Sequence, residues 1–240
     1  MKKYASIKIS YMLTAFSFGA LVLFLCSILG AVHAVSTAAA ETEILPTVVL
    51  DAGHGGEDGG AVGANGVEEK AINLAIALCL QEKLMSNGYN VIMIRDTDTA
   101  VGNTALPTLA ERKRSDIQYR AQVINETENC ILVSIHQNFF EQSQYSGAQM
   151  FYSANNSESA ELAECIRRSV VSKIQPENKR ENKQAESRIY ILSHVDVPAV
   201  IVECGFISNP EEAELLSDTN YQQKMADAIA EGILSFCSAE

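Results

Sequence analysis

Basic residues are scarce in this chain: 18 Lys and Arg stand against 30 Asp and Glu over 240 residues. Three of the 18 (Lys2, Lys3 and Lys8) and none of the acids fall in the first forty positions. The remainder therefore carries 15 against 30, a formal charge of −15. Such a surface repels a phosphate backbone, and no stretch gathers a basic patch, so nucleic acid is excluded as a partner. Paired cysteines are also missing. The five beyond residue 40 (Cys79, Cys130, Cys165, Cys204 and Cys237) are odd in number, have no close pair and sit in apolar contexts. They read as buried thiols rather than as disulfides or a zinc knuckle. Internal repeats and low-complexity tracts are absent. Histidine is rare: of four, only His54, His136 and His194 follow residue 40. A catalytic or metal-binding imidazole has few places to hide.

One hydrophobic run is long. Residues 11–35 are apolar, follow the three lysines and lead into "STAAAETE". That order is the n-region, h-region and small-residue stretch of a secretory signal, with cleavage sites at Val32-His33-Ala34 or in the "TAAA" after it. The run is also long enough to span a bilayer, so an N-terminal membrane anchor is the alternative. Cys26 lacks the small residue before it that a lipoprotein signal needs. The expected organisation is a signal peptide or anchor over 1–40 and a single catalytic domain over 41–240, exported across the cytoplasmic membrane.

About 200 residues suit one core. "TVVLDAG", "YNVIMIRD", "CILVSIHQN", "GAQMFYS", "IYIL" and "AVIVECGF" read as strands, the continuous apolar ones as buried on both faces. Helices are expected over residues 68–85, where Ile72, Ile76, Leu80 and Leu84 recur and Asn87-Gly88 stops the pattern. Others follow in "LAERKRSDIQYRAQVINETEN", after Ser157 as N-cap, after Asn209-Pro210, and at the C-terminus around Met225, Ile229, Ile233 and Phe236. Alternation of strand and helix predicts a three-layer α/β/α sandwich with a mostly parallel sheet. Sites in such sheets form at the carboxyl ends of the strands. The polar tract at 175–188 reads as a solvated loop that could rim a cleft.

Three strands end in polar residues: "VVLDAGH" at His54, "ILVSIH" at His136 and "AVIVE" at Glu203. Glu69 heads the apolar stripe of the first helix, and a carboxylate there is costly unless something cationic meets it. His54, Glu69 and His136 make a two-histidine, one-carboxylate set, a catalytic zinc arrangement that leaves a fourth position for water. Taken singly, a strand-end histidine is also an ordinary hydrogen-bonded residue, and a helix-start glutamate simply suits the macrodipole. Glu203 is a candidate general base with a raised pKa, or a carboxylate satisfied by backbone amides. The glycine loop is not a dinucleotide fingerprint. Counting from Gly53, the sixth position is Asp58, and Glu57 and Asp58 repel phosphate. Its glycines let the backbone turn sharply beside a ligand.

"LDAGHGGEDGGAVGANGVEEKAINL", "SIHQN" and "PAVIVECGFISNPEE" closely resemble, in one order over the chain beyond the signal, the zinc-dependent N-acetylmuramoyl-L-alanine amidases of the type 3 family. The resemblance implies zinc ligands His54, Glu69 and His136, with Glu203 as the catalytic acid/base. Asn138 and His194 are supporting or substrate-contacting candidates; three protein ligands suffice for an open site, so His194 is not expected to be a fourth. Gln137 departs from the small or apolar residue usual between the histidine and asparagine. "ERKRSDIQYRAQVIN" and "IYILSHVDVPAVIVE" look most like the germination-specific subgroup, which acts on spore cortex. Some of its members depend on a partner lipoprotein. No wall-binding repeat follows, so export, an anchor or such a partner is expected to bring the enzyme to peptidoglycan, in the cell wall or the space between forespore membranes. A zinc exopeptidase of similar fold and an inactive wall-binding protein are the competing readings.

Overall fold

The computed structural model describes residues 45–238 together with Phe24. The expected signal or anchor otherwise lies outside the described residues. Among those described, no helix is long and apolar enough to cross a membrane.

Six strands form one sheet: β1 (Thr47–Ala52), β2 (Val91–Met93), β3 (Cys130–Asn138), β4 (Gln149–Tyr152), β5 (Lys183–Gln184) and β6 (Ala199–Phe206). Their order is β2-β1-β3-β6-β4-β5. β2, β1, β3 and β6 run parallel; β4 is antiparallel to β6, and β5 is parallel to β4. The mostly parallel α/β sandwich is therefore present. Strand alternation splits the core in two. Val48, Leu50 and Ala52 face one layer with Ile131, Val133 and Ile135 of β3. Val49 and Leu132 face the other.

The first layer holds α1 (Glu69–Ser86), α3 (Ser159–Lys173) and α6 (Thr219–Cys237). Ile72, Ile76, Leu80 and Leu84 of α1 are all buried as their spacing requires, each contributing about 2 kcal/mol of apolar burial. The second layer holds α2 (Leu109–Asn125), whose N-terminus is closed by a capping box between Thr108 and Glu111. α5 (Pro210–Ser217) begins at Asn209, whose side chain accepts from the amides of Glu211 and Glu212.

Two local expectations are corrected. "IYIL" is not a strand: Tyr190–Ser193 is a single helical turn, α4, which buries Ile191 and Leu192 in the second layer. Ser157 does not cap α3, whose N-cap position is Glu158 with no side-chain cap. Ser159 turns inward instead and accepts from the Ala199 amide at 3.0 Å. Among the described residues the five cysteines form no disulfide with one another; four are buried and Cys79 is half-buried. The tract at 175–188 supplies the short edge strand β5 and rims a cleft beside Glu203.

Candidate active site

Four side chains from four elements meet at the carboxyl end of the parallel strands. β1 runs out at Ala52, and the chain turns at His54, whose φ of 63° is left-handed, an uncommon state for a residue with a side chain. The turn needs glycine beside it: at Gly55 (φ 136°) a Cβ would stand 2.4 Å from the Thr99 carbonyl oxygen. Glu69 is delivered by the start of α1. That helix end has no side-chain cap, and the loop supplies its acceptors, Ala61 O for the Glu69 amide at 2.9 Å and Gly59 O for the Lys70 amide at 3.2 Å. His136 and Glu203 lie directly opposite one another on β3 and β6.

Glu69 is buried, 4% exposed, and its carboxylate is fully engaged. Oε1 lies 3.0 Å from His136 Nδ1 and accepts from the Gln137 amide (3.1 Å) and Asn73 Nδ2 (3.2 Å). Oε2 lies 3.2 Å from His54 Nε2 and accepts from the Ala61 amide at 3.0 Å. Burial favours the neutral acid, but the two histidines outweigh it and hold Glu69 well below the usual carboxylate range. His54 Nδ1 lies 2.9 Å from Asp58 Oδ2, which fixes the ring and leaves Nε2 facing inward. Burial opposes the imidazolium, yet Asp58 and Glu69 raise His54 to about 9. The imidazoles cross edge-on, 5.0 Å between centroids. One ligand atom from each of His54, Glu69 and His136 falls within 4.8 Å of the others. Gly53 makes room: a Cβ there would stand 2.2 Å from His136 Nε2.

Glu203 faces the same space. Its Oε2 is buried and has no hydrogen-bond partner among the described residues. Burial raises its pKa to about 7, with Glu69 adding to the shift and His136 and His54 opposing it. The backbone-satisfied alternative does not describe this oxygen.

The other expected positions behave differently. Asn138 ends β3 and lines the cleft beside Glu203, and its carbonyl accepts from the Ile207 amide at 2.9 Å. His194 is exposed, stacks on Tyr190 (3.7 Å between centroids) and has its Nδ1 2.9 Å from both Ser193 Oγ and Tyr190 O. None of those partners belongs to the cluster. Gln137 joins the supporting network, its Nε2 donating to Asn73 Oδ1 at 3.1 Å.

Two arginines missed in the sequence hold the loop from below. Arg120 of α2 pairs with the buried Asp51 and donates to Ala52 O (3.0 Å) and His54 O (2.7 Å). Arg95, after β2, donates to Ala52 O (2.7 Å) and Gly53 O (2.9 Å). The one available signal was that Asp116, Arg120 and Ile124 repeat every four residues along one face of α2.

The sequence pattern of the family described as N-acetylmuramoyl-L-alanine amidase matches residues 48–235. The germination-specific N-acetylmuramoyl-L-alanine amidase of Bacillus subtilis is 36% identical over 189 residues, covering 79% of this chain and 78% of its own. The amidase AmiA of Escherichia coli is 29% identical, covering 79% of this chain and 75% of its own. Among solved structures, the CwlD amidase of Clostridioides difficile in complex with the GerS lipoprotein superposes with a TM-score of 0.78 at 40% identity. That match covers 81% of this chain and 100% of that one.

Proposed function

The chain belongs to the N-acetylmuramoyl-L-alanine amidase family and is a peptidoglycan amidase, and we propose that it works with zinc held by His54, Glu69 and His136, with Glu203 as general base. The observation that carries this is the cluster of three ligand atoms within 4.8 Å beside a buried, unpartnered carboxylate oxygen. The donor set, two nitrogens and a carboxylate, suits zinc and leaves a position open. When bound, the ion supplies a Lewis acid that polarises the scissile carbonyl and acidifies water. Asp58 orients the His54 ring, and Asn73 with the Gln137 amide orients Glu69. Glu203, raised to about 7, is matched to accept a proton from the attacking water and pass it to the departing alanine amine.

A role in spore cortex is supported by the germination-specific relative, and a lipoprotein partner by the complex in which the Clostridioides difficile amidase was solved. Export by the N-terminal segment would bring the domain to its polymer. The test of the site is Glu203→Gln, which keeps one equivalent of zinc while turnover falls by several orders of magnitude. Near-normal turnover with zinc bound would remove Glu203 from the chemistry.

A further inference from the structure

Beside Glu203 the cleft turns basic, against the grain of a chain with a formal charge of −12. A cavity of about 520 Å³ has Glu203 in its wall and three cations around it, Arg180, Lys183 and Arg188. Arg188 is neutralised in part by Glu186 at 3.0 Å. Arg180 is not: among the described residues no carboxylate lies within ion-pair distance of it. It is nonetheless held in place. Its Nε donates to Ser146 O at 2.7 Å, and its Nη1 lies 3.4 Å from Gln149 Oε1. The guanidinium carbon stands 4.4 Å from the centre of the Phe206 ring and 5.7 Å from that of Tyr145. Cation–π stacking and two acceptors thus fix a fork that feels the buried Glu212 carboxylate at a distance but makes no direct ion pair with it.

Sheet register places it relative to the chemistry. Gln149 is directly opposite Glu203, and one row along, Ile201, Phe151 and Lys183 are opposite one another across β6, β4 and β5. With strands about 4.8 Å apart, the guanidinium beside Gln149 is roughly 8–10 Å from the Glu203 carboxylate. Two extended residues span about 7 Å. That is the reach of a peptide whose alanine amide sits at Glu203 and whose next residue carries an acidic group.

We infer that Arg180, with Lys183 and Arg188 behind it, forms a carboxylate-binding subsite that selects stem peptides with a free acid on the residue after alanine over amidated ones. This rests on the amidase reading of the same site. A planar guanidinium takes a carboxylate through two parallel hydrogen bonds, and an amide, which is neutral, forfeits the charge-assisted part. That difference amounts to about tenfold to a hundredfold in affinity.

The experiment compares N-acetylmuramoyl-L-alanyl-γ-D-glutamyl-L-lysine with N-acetylmuramoyl-L-alanyl-D-isoglutaminyl-L-lysine, in which the γ-carboxyl is in peptide linkage and only the α-acid or its amide differs, using the zinc-loaded chain. The free acid is expected to have the higher kcat/KM by about tenfold or more, carried in KM. Arg180→Gln brings the ratio to about one, with the larger loss falling on the free acid. Because Arg180 also braces Ser146 and Phe206, the exposed double variant Lys183→Gln/Arg188→Gln is measured beside it and lowers the ratio in the same direction. Calorimetric binding of L-alanyl-γ-D-glutamyl-L-lysine and L-alanyl-D-isoglutaminyl-L-lysine to the metal-free protein gives a readout independent of turnover. Equal kcat/KM or equal binding of acid and amide would overturn the subsite. Discrimination in binding with hydrolysis of neither substrate would keep the subsite and sink the amidase reading.

Discussion

Arg120 and Asp51 form a buried ion pair between α2 and β1, and the same guanidinium holds the His54 carbonyl at 2.7 Å. Asp51 also accepts from Ser134 at 2.6 Å. Burial disfavours its charge, but the arginine outweighs burial and its pKa lies below the ordinary value. Breaking such a pair from one side strands a buried charge, which costs about 3–5 kcal/mol. Arg120→Met should lower unfolding stability by that much in denaturant titrations. Asp51→Asn/Arg120→Met should recover part of the loss while zinc affinity stays reduced, because the His54 carbonyl has lost its donor. Additive losses in the double variant would mean that the two residues act separately.

Glu203 makes the metal-free protein sensitive to pH. Its pKa is raised from 4.5 to about 7 on folding, so between those values the folded state binds more protons than the unfolded one. Stability therefore falls as pH rises from 4.5 to 7, by up to about 3 kcal/mol, and stays low above. Glu203→Gln removes the penalty. Scanning calorimetry of the metal-free proteins should show the variant melting higher at pH 8 and level with wild type near pH 4.5. A variant no more stable at pH 8 would mean the carboxylate is not buried against its charge.

Gly53 is the tightest point of the cluster. A methyl there meets the His136 ring at 2.2 Å, so the ring must move. Gly53→Ala should cost about 1–3 kcal/mol of stability through overpacking. It should also weaken zinc binding about tenfold to a hundredfold, read by calorimetric titration. Unchanged zinc affinity would show that His136 has slack the close fit denies.

His194 stacks on Tyr190 away from the cluster. His194→Ala should retain one equivalent of zinc and near-normal turnover, measured by elemental analysis and peptidoglycan hydrolysis. Loss of the metal equivalent would make it a ligand.

Much of this was legible because buried parallel strands announce themselves as apolar runs, and a run that ends in His54, His136 or Glu203 points at the strand-end cleft. α1 was legible because Ile72 to Leu84 keep a four-residue spacing beneath Glu69. "IYIL" was not, since four apolar residues satisfy a strand or a helical turn equally. Arg95 and Arg120 stayed hidden for a different reason: each reaches carbonyls more than forty residues away in sequence. Both guanidiniums are buried against loop carbonyls, and the four-residue repeat at Arg120 marks a helix face without revealing those partners. The tract at 175–188 read as a solvated loop that could rim a cleft, but nothing in its spacing singled out Arg180.

Zinc at His54, Glu69 and His136, with Glu203, is proposed to open the amide between muramic acid and alanine. Purified peptidoglycan digested with the zinc-loaded chain, with the chelated chain and with Glu203→Gln, and read by mass spectrometry, tests it directly. Peptides with a new free alanine amine and glycan strands with bare lactyl carboxylates are expected, produced only by the zinc-loaded wild type. Free amino acids released from peptides still joined to muramic acid, or equal cleavage after chelation, would contradict it.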